Sequence, residues 1–219
     1  MSIPIEVWGD FACFTRPELS VERVSYDVMT PSAARGILDS VYWHPGLKWR
    51  IESIRVCAPI RFTNIKRNEV KEKANTKRVK AMMTRGGGEI FLAAAQNRTQ
   101  RSTLLLRDVR YVIEAHLEVT KKAEAPDNPT KYAEIALRRF EKGQCYNQPY
   151  FGTREFPAFF KICEEIPPCP DELLGERDLG LMAYDFDYAT AIPTSLFFHV
   201  IMKDGLIQVP PPDSEEILR

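Results

Sequence analysis

Apolar and polar positions alternate from the start of the chain: Ile3, Ile5 and Val7 are separated by Pro4, Glu6 and Trp8, and Phe11-Ala12-Cys13-Phe14 follow. A period of two is the signature of a half-buried strand. The spacing therefore predicts a first strand here, with Gly9-Asp10 as a bulge or bend and Arg16-Pro17 beyond its end. The period then changes. Thr30-Pro31 is a cap and first-turn pair, and Ala34, Ile37, Leu38 and Val41 recur at i, i+3, i+4 and i+7, which predicts an amphipathic helix stopped by Pro45-Gly46. Trp49 to Val56 reads as a second strand ending before Pro59. Thr103 to Val119 is the longest β-prone stretch, broken near Asp108. In its second half Tyr111, Ile113, Ala115, Leu117 and Val119 share one face, while Glu114, His116, Glu118 and Thr120 share the other. Asn128-Pro129 repeats the cap signal, and Tyr132, Ile135, Ala136 and Phe140 predict a helix running to Lys142, with Gly143 as C′. A further strand is expected around residues 148–160.

The resulting order, βαββαβ, is the split βαβ plan of ferredoxin-like and RNA-recognition-motif-like folds. Pro167-Pro168-Cys169-Pro170 marks a boundary. Beyond it, Leu179 to Phe186 and Leu196 to Met202 read as strands, and Lys203-Asp204-Gly205 as a hairpin turn into Leu206 to Val209. Pro210-Pro211-Pro212 and the acidic end read as a poorly ordered tail. The expected class is α+β: a modified ferredoxin-like domain over residues 1–166, carrying an insertion at about 61–102, followed by a small antiparallel β domain over 167–219.

With 219 residues, 44% apolar and 27% charged, the composition is that of an ordinary soluble globular chain and excludes disordered, collagenous and membrane classes. The longest uninterrupted apolar runs fall far short of the roughly 20 residues that cross a bilayer. The first eight residues lack a basic n-region and carry Pro4 and Glu6, so they do not read as a signal peptide, and a cytoplasmic location is expected. Cys13, Cys57, Cys145, Cys163 and Cys169 are widely and irregularly spaced, a pattern unlike a disulfide framework or a structural zinc site.

Zero net charge conceals an asymmetry. Arg61 to Arg110 carries 13 Lys/Arg against 4 Asp/Glu, and Glu164 to Arg219 carries 3 against 12. The basic stretch has few apolar residues before Met82 and cannot easily fold on its own core. It suits either a solvated surface insertion or an arm that lies along a phosphate backbone and loses affinity as salt rises. The triplet Gly86-Gly87-Gly88 fits neither Walker A nor G-x-G-x-x-G.

Three histidines are available for proton transfer near neutral pH: His44, His116 and His199. His199, within Phe197-Phe198-His199-Val200, reads as a packed strand residue, and His44 as a helix-end residue suited to the dipole. His116 stands on a polar strand face between Glu114 and Glu118, carboxylates that favour its charged form. That arrangement serves a general acid or an electrostatic stabiliser, or equally a solvated charge ladder. Tyr42 ends the first helix. No Ser-His-Asp, Cys-His or H-E-x-x-H constellation is present, and no metal or cofactor is expected. A metal-free route exists for RNA, whose own 2′-hydroxyl attacks the adjacent phosphate, leaving the protein to orient the strand and supply a base, an acid and positive charge.

Several segments carry a resemblance. They are residues 8–15 (WGDFACFT), 24–38 (VSYDVMTPSAARGIL), 41–45 (VYWHP), 67–70 (RNEV), 112–118 (VIEAHLE) and 177–180 (RDLG). In this order, across nearly the whole chain, they resemble the CRISPR-associated Cas-five family, type I-C (Dvulg) subtype. The resemblance implies a modified ferredoxin-like domain followed by a small β domain. It implies a metal-independent endoribonuclease that cuts precursor CRISPR RNA at the base of the repeat stem-loop. Such an enzyme leaves a 2′,3′-cyclic phosphate, retains the 5′ handle and becomes a subunit of the Cascade complex. It maps a catalytic tyrosine onto Tyr42 and a catalytic histidine onto His116. A lysine close to that histidine completes the family's set, but Glu114 and Ala115 precede His116 here, and Lys121 at the strand's end is the nearest candidate. Arg35, Lys66, Arg67, Lys71 and Lys73 are the implied RNA contacts. Two other readings stay open: a non-catalytic handle binder and assembly scaffold, and, from the basic arm alone, a double-stranded DNA binder.

Overall fold

The alternation in the first residues does become a strand in the computed structural model, which describes residues 2–19, 21–124, 128–188 and 193–219. β1 (Ile3–Ala12) buries Ile3, Ile5 and Val7 and is followed by α1 (Pro31–Val41), whose cap is the Thr30 hydroxyl accepting from the Ala33 amide at 3.3 Å. Ala34, Ile37, Leu38 and Val41 are all buried. Next come β2 (Leu47–Val56), β3 (Phe62–Val70), α2 (Thr76–Arg85), β4 (Arg98–Val119), α3 (Pro129–Glu141) and β5 (Phe159–Ile162). β6 (Glu176–Asp187), β7 (Thr194–Lys203), β8 (Leu206–Gln208) and β9 (Ile217–Leu218) complete the chain.

The strands form one sheet in the order β5-β1-β4-β2-β8-β7-β6, with β3 paired to the first half of β4 and β9 to β7; every pair is antiparallel. This is an α+β architecture. Both α1 and α3 cover the same face: Trp49 of β2 meets Phe140 of α3 edge-on at 6.2 Å, Phe140 meets Phe160 of β5 at 5.7 Å, and Ala34, Ile37 and Leu38 of α1 join the same buried cluster, with Arg139 of α3 lying over the ring of Tyr42 at its end. Ile5, Val7, Ile54, Tyr111, Ile113 and Ala115 complete that core. Among the described residues no helix packs on the other face of β1, β4 and β2.

Several sequence expectations change in detail. The β1–β4 register runs unshifted past Gly9 as far as Ala12 and Leu106, so the bend falls on the partner strand, where Asp108 has φ 54° and β4 exchanges β2 for β3 as its other neighbour. The insertion is not featureless. β3 and residues 98–106 of β4 form a ribbon, and α2, capped by Asn75 and ended by Gly86 in the left-handed conformation, buries none of its residues. The strand expected around 148–160 is confined to its end, Phe159–Ile162, after an isolated bridge between Tyr150 and Pro157. Asp204 and Gly205, both at positive φ, make the tight hairpin turn. The C-terminal tail is anchored, since Ile217 and Leu218 pair with Phe198 and Phe197. No helix among the described residues is long and apolar enough to cross a membrane.

Candidate active site and nucleic-acid interface

His116 lies on the helix-free face of β4, opposite Arg50 of β2. Directly opposed residues of an antiparallel pair point to the same side, so β2 decides what the imidazole meets. The β2–β4 register shifts between Ile51 and Ser53, leaving Glu52 as the extra residue of a bulge. Its carbonyl accepts the Val209 amide at 2.9 Å, and its carboxylate reaches His116 Nδ1 at 2.6 Å. Burial raises the Glu52 pKa, but hydrogen bonds from Ser2 and His116 outweigh it and hold the carboxyl below the ordinary range. An ionised Glu52 assigns the shared proton to Nδ1 and leaves Nε2 as the nitrogen that exchanges protons with a ligand. Glu118 Oε1 stands 3.6 Å from Nε2, and its other oxygen accepts from Arg50. Glu118 too is held low, burial being outweighed by Arg50 and then His116. His116 is about one-third exposed, so the pair of carboxylates grips it without sealing it off.

Sequence reasoning named Glu114 and Glu118 as the flanking acids. The structure keeps Glu118 but gives Glu114 to the Ser53 hydroxyl at 2.8 Å and brings Glu52 instead. Only strand register and a bulge join Glu52 to His116 across 64 positions, and no local pattern announces either. The other histidines also differ from expectation. His44 Nδ1 accepts the Gly46 amide at 3.1 Å and packs on Tyr132, and His199 is half exposed with Nε2 at 2.9 Å from Asp178.

Tyr42 is the C-cap of α1 and is 6% exposed. Its carbonyl accepts from Trp49 Nε1 at 3.0 Å, and the Arg139 guanidinium lies 5.0 Å over its ring. These neighbours belong to the helix-covered face, so Tyr42 and His116 stand on opposite sides of the sheet. Lys121 is exposed in the turn just past the end of β4.

The expected RNA contacts divide into two groups. Arg35 is clamped by Asp185 (3.2 and 2.9 Å) and Asp39 (2.9 Å), tying α1 to β6. Arg67 is spent on Glu155 and on Thr103 Oγ1 at 2.9 Å, with its Nε buried and without a hydrogen-bond partner among the described residues. Lys66, Lys71 and Lys73 are exposed on or beside the ribbon, as are Lys77, Arg78, Lys80 and Arg85 on α2. That cationic arm was legible in the sequence as a charge count.

Residues 2–210 match the Cas5d family model, described as CRISPR-associated protein (Cas5). "CRISPR pre-crRNA endoribonuclease Cas5d" of Mannheimia succiniciproducens is 46% identical over 222 residues, covering 99% of this chain and 98% of its own. The protein of the same name from Thermus thermophilus is 36% identical over 240 residues, covering 99% and 95%. Two solved structures superpose with TM-scores of 0.70. One is titled as a CRISPR-associated protein (22% identity) and the other is a functionally uncharacterized Streptococcus mutans protein (23%); each match covers 100% of this chain and 97% of the other.

Proposed function

The chain belongs to the CRISPR-associated Cas5 family, in its Cas5d type, and from that premise we propose that it is the endoribonuclease that cuts precursor CRISPR RNA in a type I-C system. The cut falls at the base of the repeat stem-loop, and the protein keeps the 5′ handle as a subunit of the cytoplasmic Cascade complex. The observation that carries the chemistry is His116, about one-third exposed on a sheet face with its Nδ1 fixed by Glu52. In this reading the 2′-hydroxyl attacks the adjacent phosphorus, the bond to the 5′-oxygen breaks, and a 2′,3′-cyclic phosphate and a 5′-hydroxyl result. The RNA supplies its own nucleophile, so the reaction asks only for proton transfer, orientation and charge, and no metal takes part. His116 Nε2 exchanges the proton with the RNA. Tyr42, on the opposite side of the sheet from His116, is read as a positioning residue that holds the loop leading from α1 into β2 and acts on the 2′-hydroxyl only through that loop.

The strand order β5-β1-β4-β2, all antiparallel with two helices on one face, supports a ferredoxin-like reading of the first 166 residues. The β6–β7 hairpin, which pairs over most of its length with itself, supports reading 167–219 as the second unit. Lys66, Lys71 and Lys73 hold the handle's phosphates, and the same arm offers a surface for double-stranded DNA.

The deciding experiment incubates the protein with its repeat RNA in EDTA, beside His116→Ala, Tyr42→Phe and an RNA carrying one 2′-deoxy at the cut. Wild type is expected to cut once in EDTA, the deoxy substitution to abolish the cut, and His116→Ala to slow it by about 100-fold or more. Tyr42→Phe is expected to slow it less, because that hydroxyl is buried on the far side of the sheet. Tight binding with no scission would overturn the nuclease and leave the scaffold.

A further inference from the structure

A phosphate approaching His116 meets two carboxylates, Glu52 and Glu118, and the neighbouring Arg50 is already committed to Glu118. Negative charge on the phosphoryl oxygens must nevertheless be met by a cation at the moment of reaction. Lys121, exposed beyond the end of β4, lies outside the strand pairing that holds the imidazole. Lys48 lies within it. In the β2–β4 register Lys48 faces Glu118 while Arg50 faces His116, so Lys48 is the diagonal neighbour of His116 on the same face. Diagonal positions are about 7–8 Å apart, a span that a four-carbon stem covers. β8 pairs only with Ser53–Arg55, so the first half of β2 is a free edge, and the cleft beside it is lined by Lys48, Arg50 and Arg35 together with Asp185, Asp187 and Asp213. Arg35 and Arg50 are both held by carboxylates. Among the described residues the Lys48 ammonium, at the mouth of this cleft, has no ion pair or hydrogen bond.

We propose that Lys48 contacts the scissile phosphate from the free edge of β2 and stabilises the charge of the pentacoordinate phosphorane while His116 transfers the proton. This rests on the nuclease reading above. Partial burial, then Arg50, draws the Lys48 ammonium below the ordinary lysine range.

The test is single-turnover cleavage by Lys48→Met and Lys48→Arg, with binding measured separately on the uncleavable 2′-deoxy repeat. Lys48→Met is expected to slow cleavage about 100-fold while its affinity for the deoxy RNA stays within about three-fold of wild type, and Lys48→Arg is expected to recover most of the rate. Sulfur in place of a non-bridging oxygen at the cut should slow wild type and have little further effect on Lys48→Met, a readout that a merely structural lysine would not move. Cleavage by Lys48→Met within about three-fold of wild type, or a loss that only tracks binding, would overturn the assignment. A wild type that binds without cutting is a different result, which removes the nuclease reading and this residue's role with it.

Discussion

Glu6 shows how a single residue can invert the expectation attached to its type. It sits in the alternating first strand, yet its side chain is 4% exposed and holds two cations, Arg110 at 2.5 Å and Lys161 at 3.1 Å. Burial pushes its pKa up, but the hydrogen bonds from Arg110 and Lys161 outweigh it, and the carboxyl is held below the ordinary glutamate range. A depressed folded pKa contributes stability that is whole above the unfolded value and is lost as pH falls through the folded one. The melting temperature of wild type is therefore expected to drop on acidification from about pH 5 to about pH 3. Glu6→Gln should melt lower at neutral pH and show a shallower acid drop. Circular-dichroism melts check it, and parallel pH profiles would refute it. Arg35 and Arg67 teach the same lesson from the other sign. As letters they are cations for RNA, but in the fold each is consumed by carboxylates, Asp39 and Asp185 or Glu155.

At the scale of elements, the β3–α2–β4 arm was visible as composition and invisible as structure. Its charge excess predicts phosphate binding, but only pairing with the long β4 turns residues 62–70 into a strand. α2 has 10 residues and buries none, below the roughly 12–15 at which an isolated helix becomes stable in water. Its side chains are therefore free to serve a ligand. Replacing Lys77, Arg78, Lys80 and Arg85 together by Gln is expected to weaken RNA binding and to lower the slope of log affinity against log salt by up to about 3, at about 0.7 per single-strand phosphate contact. The melting temperature should stay within about 2 °C, as for other surface changes away from caps and cores. Filter binding at several salt concentrations measures it, and an unchanged slope would assign the arm to something other than phosphate.

Across the whole molecule, the chain that reads as two units shares one sheet and one core. β8 pairs with β2, and Phe198, Val200, Met202 and Ile207 belong to the same buried cluster as Ile54, Val56 and Leu38. Arg35 of α1 is bound to Asp185 of β6 as well. Removing residues 167–219 would uncover Ile54 and leave Arg35 without a partner on β6, so residues 1–166 alone are expected not to melt cooperatively. Limited proteolysis and a thermal melt of that fragment test this, and a stable fragment with a sharp transition would establish two independent folding units.

The sequence by itself determined what depends on near neighbours. Periods of 2 and 3.6 placed most of the strands and both core helices, Thr30-Pro31 and Asn128-Pro129 fixed the helix starts, and the segments around Tyr42 and His116 carried the family. Register, bulges and long-range ion pairs were decided only in three dimensions, because they depend on how distant strands align. The Glu52 bulge, the clamp on Arg35 and the place of Lys48 beside His116 arise from β2 lying against β4 and from β6 reaching α1. The anchoring of the tail belongs with them, since Ile217 and Leu218 find partners only once β7 presents an edge. A strand's own letters say which faces it has, and its neighbours decide what each face meets.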